Sequence, residues 1–255
     1  MRVPRIFQPV PLRRGEPCRL DARGVNHVVR VLRLRPGAAI VVFNGEGGEY
    51  DGTLVEATRH HAVVQLNEFR DPATESPLDI TLAQGVSRGE RMDYTLQKAV
   101  ELGVRHIAPL MMERCTVRLS GQRLEKRLRH WRGIVVHACE QSGRHRVPDV
   151  AAALPLSHWL EQRDAGTGIM LDPDADRSLT ELPAPNGPVT LAIGPEGGLN
   201  PMEKRQLEEH GFIPVRLGPR TLRTETAGIA ALAVLQALWG DFRYAPEENE
   251  LYKYQ

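Results

Sequence analysis

The chain has 255 residues, 41% of them apolar and 25% charged, with a net charge of +1. That composition belongs to a soluble globular protein with room for one large domain or two ordinary ones. No apolar run approaches the ~20 residues of a membrane span, and the basic start MRVPRIFQPVPLRRGEP lacks the apolar stretch and small-residue cleavage site of a signal peptide, so a cytoplasmic protein without a membrane partner is expected.

In chain order, residues 1–35 hold nine arginines against Glu16 and Asp21, a balance of +7. Arginine in preference to lysine suits phosphate, because the guanidinium fork grips it bidentately. A helix is expected over DARGVNHVVRVLRL, with Val25, Val28, Val29 and Leu32 on one side and Asn26, Arg30 and Arg33 on others. Three strands follow, AIVVFN, GEYDGTLVEAT and HAVVQLNEF, with NGEGGE as a turn between the first two. The polar, proline-containing RDPATESP reads as a linker.

From residue 78 strands and helices alternate. LDITLAQGV precedes GERMDYTLQKAVELG, VRHIAPLMM precedes GQRLEKRLRHWRGIVVHACEQSG, and GTGIML stands before PVTLAIG and NPMEKRQLEEHG; FIPVRLG then precedes RTETAGIAALAVLQALWG. This rhythm predicts a mainly parallel sheet covered by helices. Charge is segregated along it, with +6 over residues 84–149 and −6 over 150–215. RLEKRLRHWR reads equally as a solvated helix face or as part of a surface for a polyanion. The tail YAPEENELYKYQ is polar.

Cys18, Cys115 and Cys139 are odd in number, far apart and without a CxxC pair, which argues against a disulfide framework and a zinc site. The nine histidines show no metal-ligand spacing, and no metal is expected.

Two glycine-containing loops stand out, LAIGPEGGLN (191–200) and LGPRTLRTETAGIAALAVL (217–235). In an open parallel sheet such loops lie beyond the carboxyl ends of the strands, where ligands bind. Gly194, Gly197 and Gly198 are expected to let backbone approach a ligand, and Asn200 to cap a helix starting at Pro201. Neither loop has the GK[ST] of a P-loop or the GxGxxG spacing of a dinucleotide fold, so spacing alone reads as a strand-to-helix turn.

Taken together, SRGERMDYTLQKAVELGV (87–104), ERC (113–115), ACEQSGRHRVP (138–148), IGPEGGL (193–199) and LGPRTLRTETA (217–227), with MRVPRIF and NHVVRVLR before them, resemble the ordered signature segments of the bacterial ribosomal RNA small-subunit methyltransferase E family. The resemblance spans nearly the whole chain apart from the tail. It implies a PUA-like, β-rich RNA-binding domain over 1–72, a SPOUT-type α/β methyltransferase domain with a C-terminal trefoil knot over 73–242, and a polar tail over 243–255. It also implies methylation of uridine N3 in 16S rRNA by a homodimer that uses S-adenosylmethionine. The cofactor would lie between LDP (171–173), GPEGG and LGPRTLRTE, in contact with Leu171, Gly194, Pro195, Glu196, Gly197, Leu217, Gly218, Leu222, Arg223 and Thr224. One departure is Asp172, where the family's first knot loop often has histidine before the proline.

Uracil N3 must lose a weakly acidic proton before it attacks a methyl group. A cation near O2 or O4 and a carboxylate base meet that need. Arg223 and Glu225 fit these roles; the alternative is a structural ion pair or helix cap. Glu140 is a second candidate base, equally suited to a dimer interface. Arg5, His27, Arg30, Arg33, Arg88, Arg114, Arg144 and Arg146 are the candidates for contact with RNA. Two other functions remain open: ribose 2′-O methylation by the same superfamily, and a non-catalytic RNA-binding dimer.

Overall fold

The computed structural model describes residues 3–243, so nearly all of the polar tail lies outside the described residues. The chain divides into two units, one of Met1–Glu75 with Cys139–Val147, the other of Ser76–Ala138 with Pro148–Ala245.

The first unit carries β1 (Arg5–Phe7), β2 (Pro17–Arg19), α1 (Ala22–Val25), β3 (Ala39–Phe43), β4 (Glu49–Ala57) and β5 (Ala62–Arg70). They form one sheet in the order β1-β3-β4-β5-β2. Only β1 and β3 run parallel; the other pairs are antiparallel. Ile6, Val28, Ile40, Val42, Leu54 and Val64 are fully buried within it. The β-branched side chains that filled the expected strands are what a pleated, half-buried surface accommodates. β1 and β2 have three residues each, too few for alternation to reveal them.

The expected helix over 21–34 forms only in part. Asp21 caps α1 by accepting from Gly24 N–H at 2.7 Å. The chain then widens into a π-helical turn over Asn26–Val31 that closes with Leu32 N–H donating to His27 O. The wider turn rotates later residues away from the 3.6-residue phase. Val25 and Val28 stay in the core, while Leu32 is turned outward.

The second unit carries β6 (Ile80–Gly85), α2 (Glu90–Glu101), β7 (His106–Met111), α3 (Gly121–Ser142, in this unit as far as Ala138), β8 (Asp149–Val150), β9 (Leu154–Pro155), α4 (Leu156–Gln162), β10 (Thr167–Leu171), β11 (Val189–Ile193), α5 (Pro201–Glu209), β12 (Phe212–Val215) and α6 (Thr224–Trp239). Its seven-stranded sheet has the order β12-β10-β11-β6-β7-β8, with β9 also against β7. Every pairing is parallel, as the alternation of strands and helices predicted. All five residues of β11 are buried, and such continuous apolar runs are what a sheet covered on both faces requires.

The order also positions the site. β10, β11 and β12 are neighbours although β12 follows β11 in sequence, so the loops leaving their carboxyl ends gather at one place. Those loops begin near Asp172, Gly194 and Arg216.

Candidate functional site

A cavity of about 480 Å³ opens where the three loops meet, within the size range of small-molecule sites. Leu171, Gly194, Pro195, Glu196, Gly197, Leu217, Gly218, Leu222, Arg223 and Thr224 all line it, so the ten residues expected to hold a cofactor are brought together. Glu225 lines it as well.

The walls are tied by buried hydrogen bonds. Thr224 Oγ1 donates to Gly194 O at 2.6 Å, and Gln84 Nε2, from the end of β6, donates to Thr224 Oγ1 at 3.0 Å. This fastens the start of α6 to the loop after β11. Asn200 begins α5 as expected, accepting from Glu203 N–H while the Glu203 carboxylate accepts from Asn200 N–H. The same carboxylate accepts from Glu113 N–H at 2.8 Å.

Two of the glycines also have a role within the protein. A Cβ on Gly194 would stand 2.8 Å from Leu199 N, and one on Gly197 would stand 2.8 Å from Arg114 Cβ. The close approach is therefore protein to protein: it lets the loop fold on itself and pass Arg114. Gly198 has φ +69°, a conformation that glycine adopts without strain.

The charged lining is organised from two sides. On one, Glu196 Oε1 accepts from Arg88 N–H at 2.8 Å and from Arg91 Nη1 at 3.4 Å. Arg91 Nε also stands 4.0 Å from Glu225 Oε1. The second oxygens of both carboxylates, Glu196 Oε2 and Glu225 Oε2, are buried without a hydrogen-bond partner. On the other side Lys204 donates to Asp172 Oδ1 at 2.7 Å, with Asp174 at 3.5 Å. Burial draws the Lys204 pKa down, but hydrogen bonds and charge from the two aspartates outweigh it and leave the group raised. Arg220 and Arg223, both exposed at the lining, form no ion pair among the described residues. Arg223 is the N-cap residue of α6 and makes no side-chain capping bond.

Sequence reasoning overlooked Arg91, Lys204 and Arg220 at this cavity. Arg91 stood within the quoted segment SRGERMDY, and Arg220 within LGPRTLRTE, so both were close at hand. Lys204 gave no signal, because only the fold brings α5 beside Asp172.

Glu140 is not among the residues lining the cavity. In the first unit its Oε1 accepts from Phe7 N–H at 3.0 Å and from Arg23 Nη2 at 2.7 Å. Two of the RNA candidates are engaged by internal partners. The Arg5 side chain is only 8% exposed, is ion-paired with Glu49, and donates to Arg144 O at 3.0 Å. Arg144 donates through Nε and Nη2 to Glu75 Oε2, at 3.0 and 2.7 Å. Both are consumed by internal partners and present no free guanidinium to a phosphate. Arg30, Arg33, Arg88, Arg114 and Arg146 are exposed, and His27 is half-buried. Arg114 also braces the cavity, donating to Gly197 O at 3.1 Å and Leu199 O at 3.3 Å.

Among the described residues no group of three His, Cys, Asp or Glu side chains could hold a metal ion, and no helix is long and apolar enough to cross a membrane. The three cysteines are free and buried.

Comparison with known proteins is specific. The profile of an RNA methyltransferase domain matches residues 74–236, and that of an RNA methyltransferase PUA domain matches 20–67. The ribosomal RNA small subunit methyltransferase E of Buchnera aphidicola from Schizaphis graminum is 34% identical over 94% of this chain and 98% of its own length. The crystal structure of a ribosomal RNA small subunit methyltransferase E from Neisseria gonorrhoeae bound to S-adenosyl methionine superposes with a TM-score of 0.89 at 41% identity, covering 94% of this chain and 100% of that one. A methyltransferase structure from Legionella pneumophila, in complex with the same cofactor, gives 0.90 at 38% identity with the same coverage.

Proposed function

This chain belongs to the ribosomal RNA small subunit methyltransferase E family, and from that premise we propose that it methylates N3 of a uridine in 16S rRNA, acting in the cytoplasm as a homodimer with a trefoil-knotted cofactor site. It is an S-adenosylmethionine-dependent rRNA methyltransferase. The observation that carries the site assignment is the convergence of all ten expected cofactor residues on one cavity at the carboxyl ends of β10, β11 and β12.

The cavity fits the cofactor in size and chemistry. Its loops line it with residues 193–199 and 217–218, and two buried carboxylate oxygens without partners point to a polar or cationic ligand. Leu171, Gly194, Gly197, Leu217, Gly218 and Leu222 would hold it. When bound, S-adenosylmethionine supplies an electrophilic methyl group on a sulfonium.

The protein's own task is to position the base and manage one proton. Glu225 Oε2 is an acceptor for the N3 proton. Arg91, with Nε 4.0 Å from Oε1, orients the carboxylate. Arg223, without a carboxylate partner, places positive charge where the uracil anion develops at O2 or O4. Glu140 is already engaged by Phe7 and Arg23 and is left out of this assignment.

The test is methyl transfer to unmodified 16S rRNA, followed by nucleoside mass spectrometry and primer extension. N3-methyluridine is expected. A ribose 2′-O-methyl product would move the protein to the other superfamily chemistry, and cofactor binding without any transfer would overturn the assignment.

A further inference from the structure

The N-terminal half of α3 presents a helix face that neither the cavity nor the core accounts for. Residues 121–133 carry Arg123, Lys126, Arg127, Arg129 and Arg132 against Glu125 alone. Arg123, Lys126, Arg129 and Arg132 are exposed and Arg127 is half-buried. Arg132 donates to Val150 O; the side chains of the other four form no ion pair or hydrogen bond among the described residues. Arg123, Lys126 and Arg127 are spaced i, i+3, i+4 and so form one stripe, with Arg129 one turn from Lys126. His130 continues the stripe and meets Asp93 of α2 at 2.9 Å.

This arrangement is unfavourable for the protein on its own. Like charges at i, i+3 and i, i+4 repel. The first turn of α3 holds no acidic residue, and cations near a helix N-terminus oppose the helix dipole. By contrast, exposed Arg70 is neutralised by Glu49 and Asp51. A dense line of anions relieves both costs, and three of the four unpartnered cations are arginines, whose fork matches phosphate.

We infer that Arg123, Lys126, Arg127 and Arg129 of α3 form a phosphate-tracking surface for the RNA substrate, additional to the arginines of the first unit. This rests on the reading of the protein as an rRNA methyltransferase. It commits to RNA rather than to an acidic face of another protein or of a second copy.

The test is the full-length Arg123→Gln, Lys126→Gln, Arg127→Gln triple variant. Its binding to a 16S rRNA transcript is measured by filter retention over a range of KCl without cofactor. The slope of log K against log salt should flatten by about 2, and affinity at low salt should fall about tenfold or more. KM for RNA should rise while kcat at saturating RNA stays within about twofold, because α3 contributes phosphate binding rather than chemistry. The melting temperature should hold or rise by about 1–2 °C as self-repulsion is relieved. An unchanged slope would make the stripe a solvated face. A change in oligomeric state by sedimentation, with RNA affinity intact, would make it a protein interface, and a lower melting temperature would mean internal contacts hold it; each overturns the proposal. Calorimetry with S-adenosylmethionine alone tests the methyltransferase reading separately, so the two can fail independently.

Discussion

In the first unit Arg5 and Arg144 are ion-paired with Glu49 and Glu75, whereas at the cavity of the second unit Arg220 and Arg223 have no carboxylate partner among the described residues. Glu75 shows how completely a charge can be absorbed: it accepts two bonds from the Arg144 guanidinium and one each from the His145 and Arg146 backbone N–H groups. A count of arginines along a chain therefore measures potential partners for RNA, not available ones. What separates the two cases is an acid brought from far away in sequence.

The largest effects should come at the cavity, if its charges are free for chemistry. Arg223→Ala should lower the rate of methyl transfer by about 10²- to 10³-fold at every pH, with lysine restoring only part of it. Glu225→Gln should cost about 10²- to 10⁴-fold and regain rate as pH rises, since solvent then supplies the base. Single-turnover rates across pH read both. If each variant instead melts early while its folded fraction reacts normally, the pair is structural and the contrast between the units disappears.

Next in size is the buried pair of the first unit. Glu75→Ala removes the carboxylate that the Arg144 guanidinium and the His145 and Arg146 N–H groups share, and should remove about 3–5 kcal/mol of stability. Urea denaturation measures it, with S-adenosylmethionine affinity of the folded protein unchanged. A loss below about 1 kcal/mol would show Arg144 to be free enough for a surface role after all.

A smaller effect separates exposed from absorbed arginines within the first unit. Arg30→Glu should reduce RNA affinity several-fold and flatten its salt dependence by about 1, while cofactor affinity stays constant. Equal RNA affinity before and after the change would remove this helix from recognition.

The smallest is a thiol effect. Burial pushes Cys139 from its ordinary 9.0 up to about 12, partly offset by the charge of Arg144. The folded state thus keeps a proton that the unfolded state releases. The resulting stabilisation is fully present below pH 9 and is lost as pH rises through the interval to about 12. Alkylation of Cys139 at pH 9 should therefore be slow in the native protein and fast in urea; rapid native labelling would show that this interior is open.

Much of this protein follows from sequence alone, because local order carries it. β3, β4 and β5, the parallel strands β6, β7, β10, β11 and β12, and the cap at Asn200 are all set by β-branched runs, glycine breaks and side-chain capping that act over a few residues. The ordered motifs placed ten residues at one cavity because loops at the carboxyl ends of parallel strands share one edge. Tertiary structure decided the rest. Leu32 left the core because a π-helical turn changed the phase, Gly197 lets its loop pass close to Arg114, and Glu75, expected only as part of a linker, became the anchor of residues 144–146. The last two depend on groups 69 to 83 residues apart in the chain. Their contact energies exist only once the backbone has brought them together, and a periodic pattern holds no record of them.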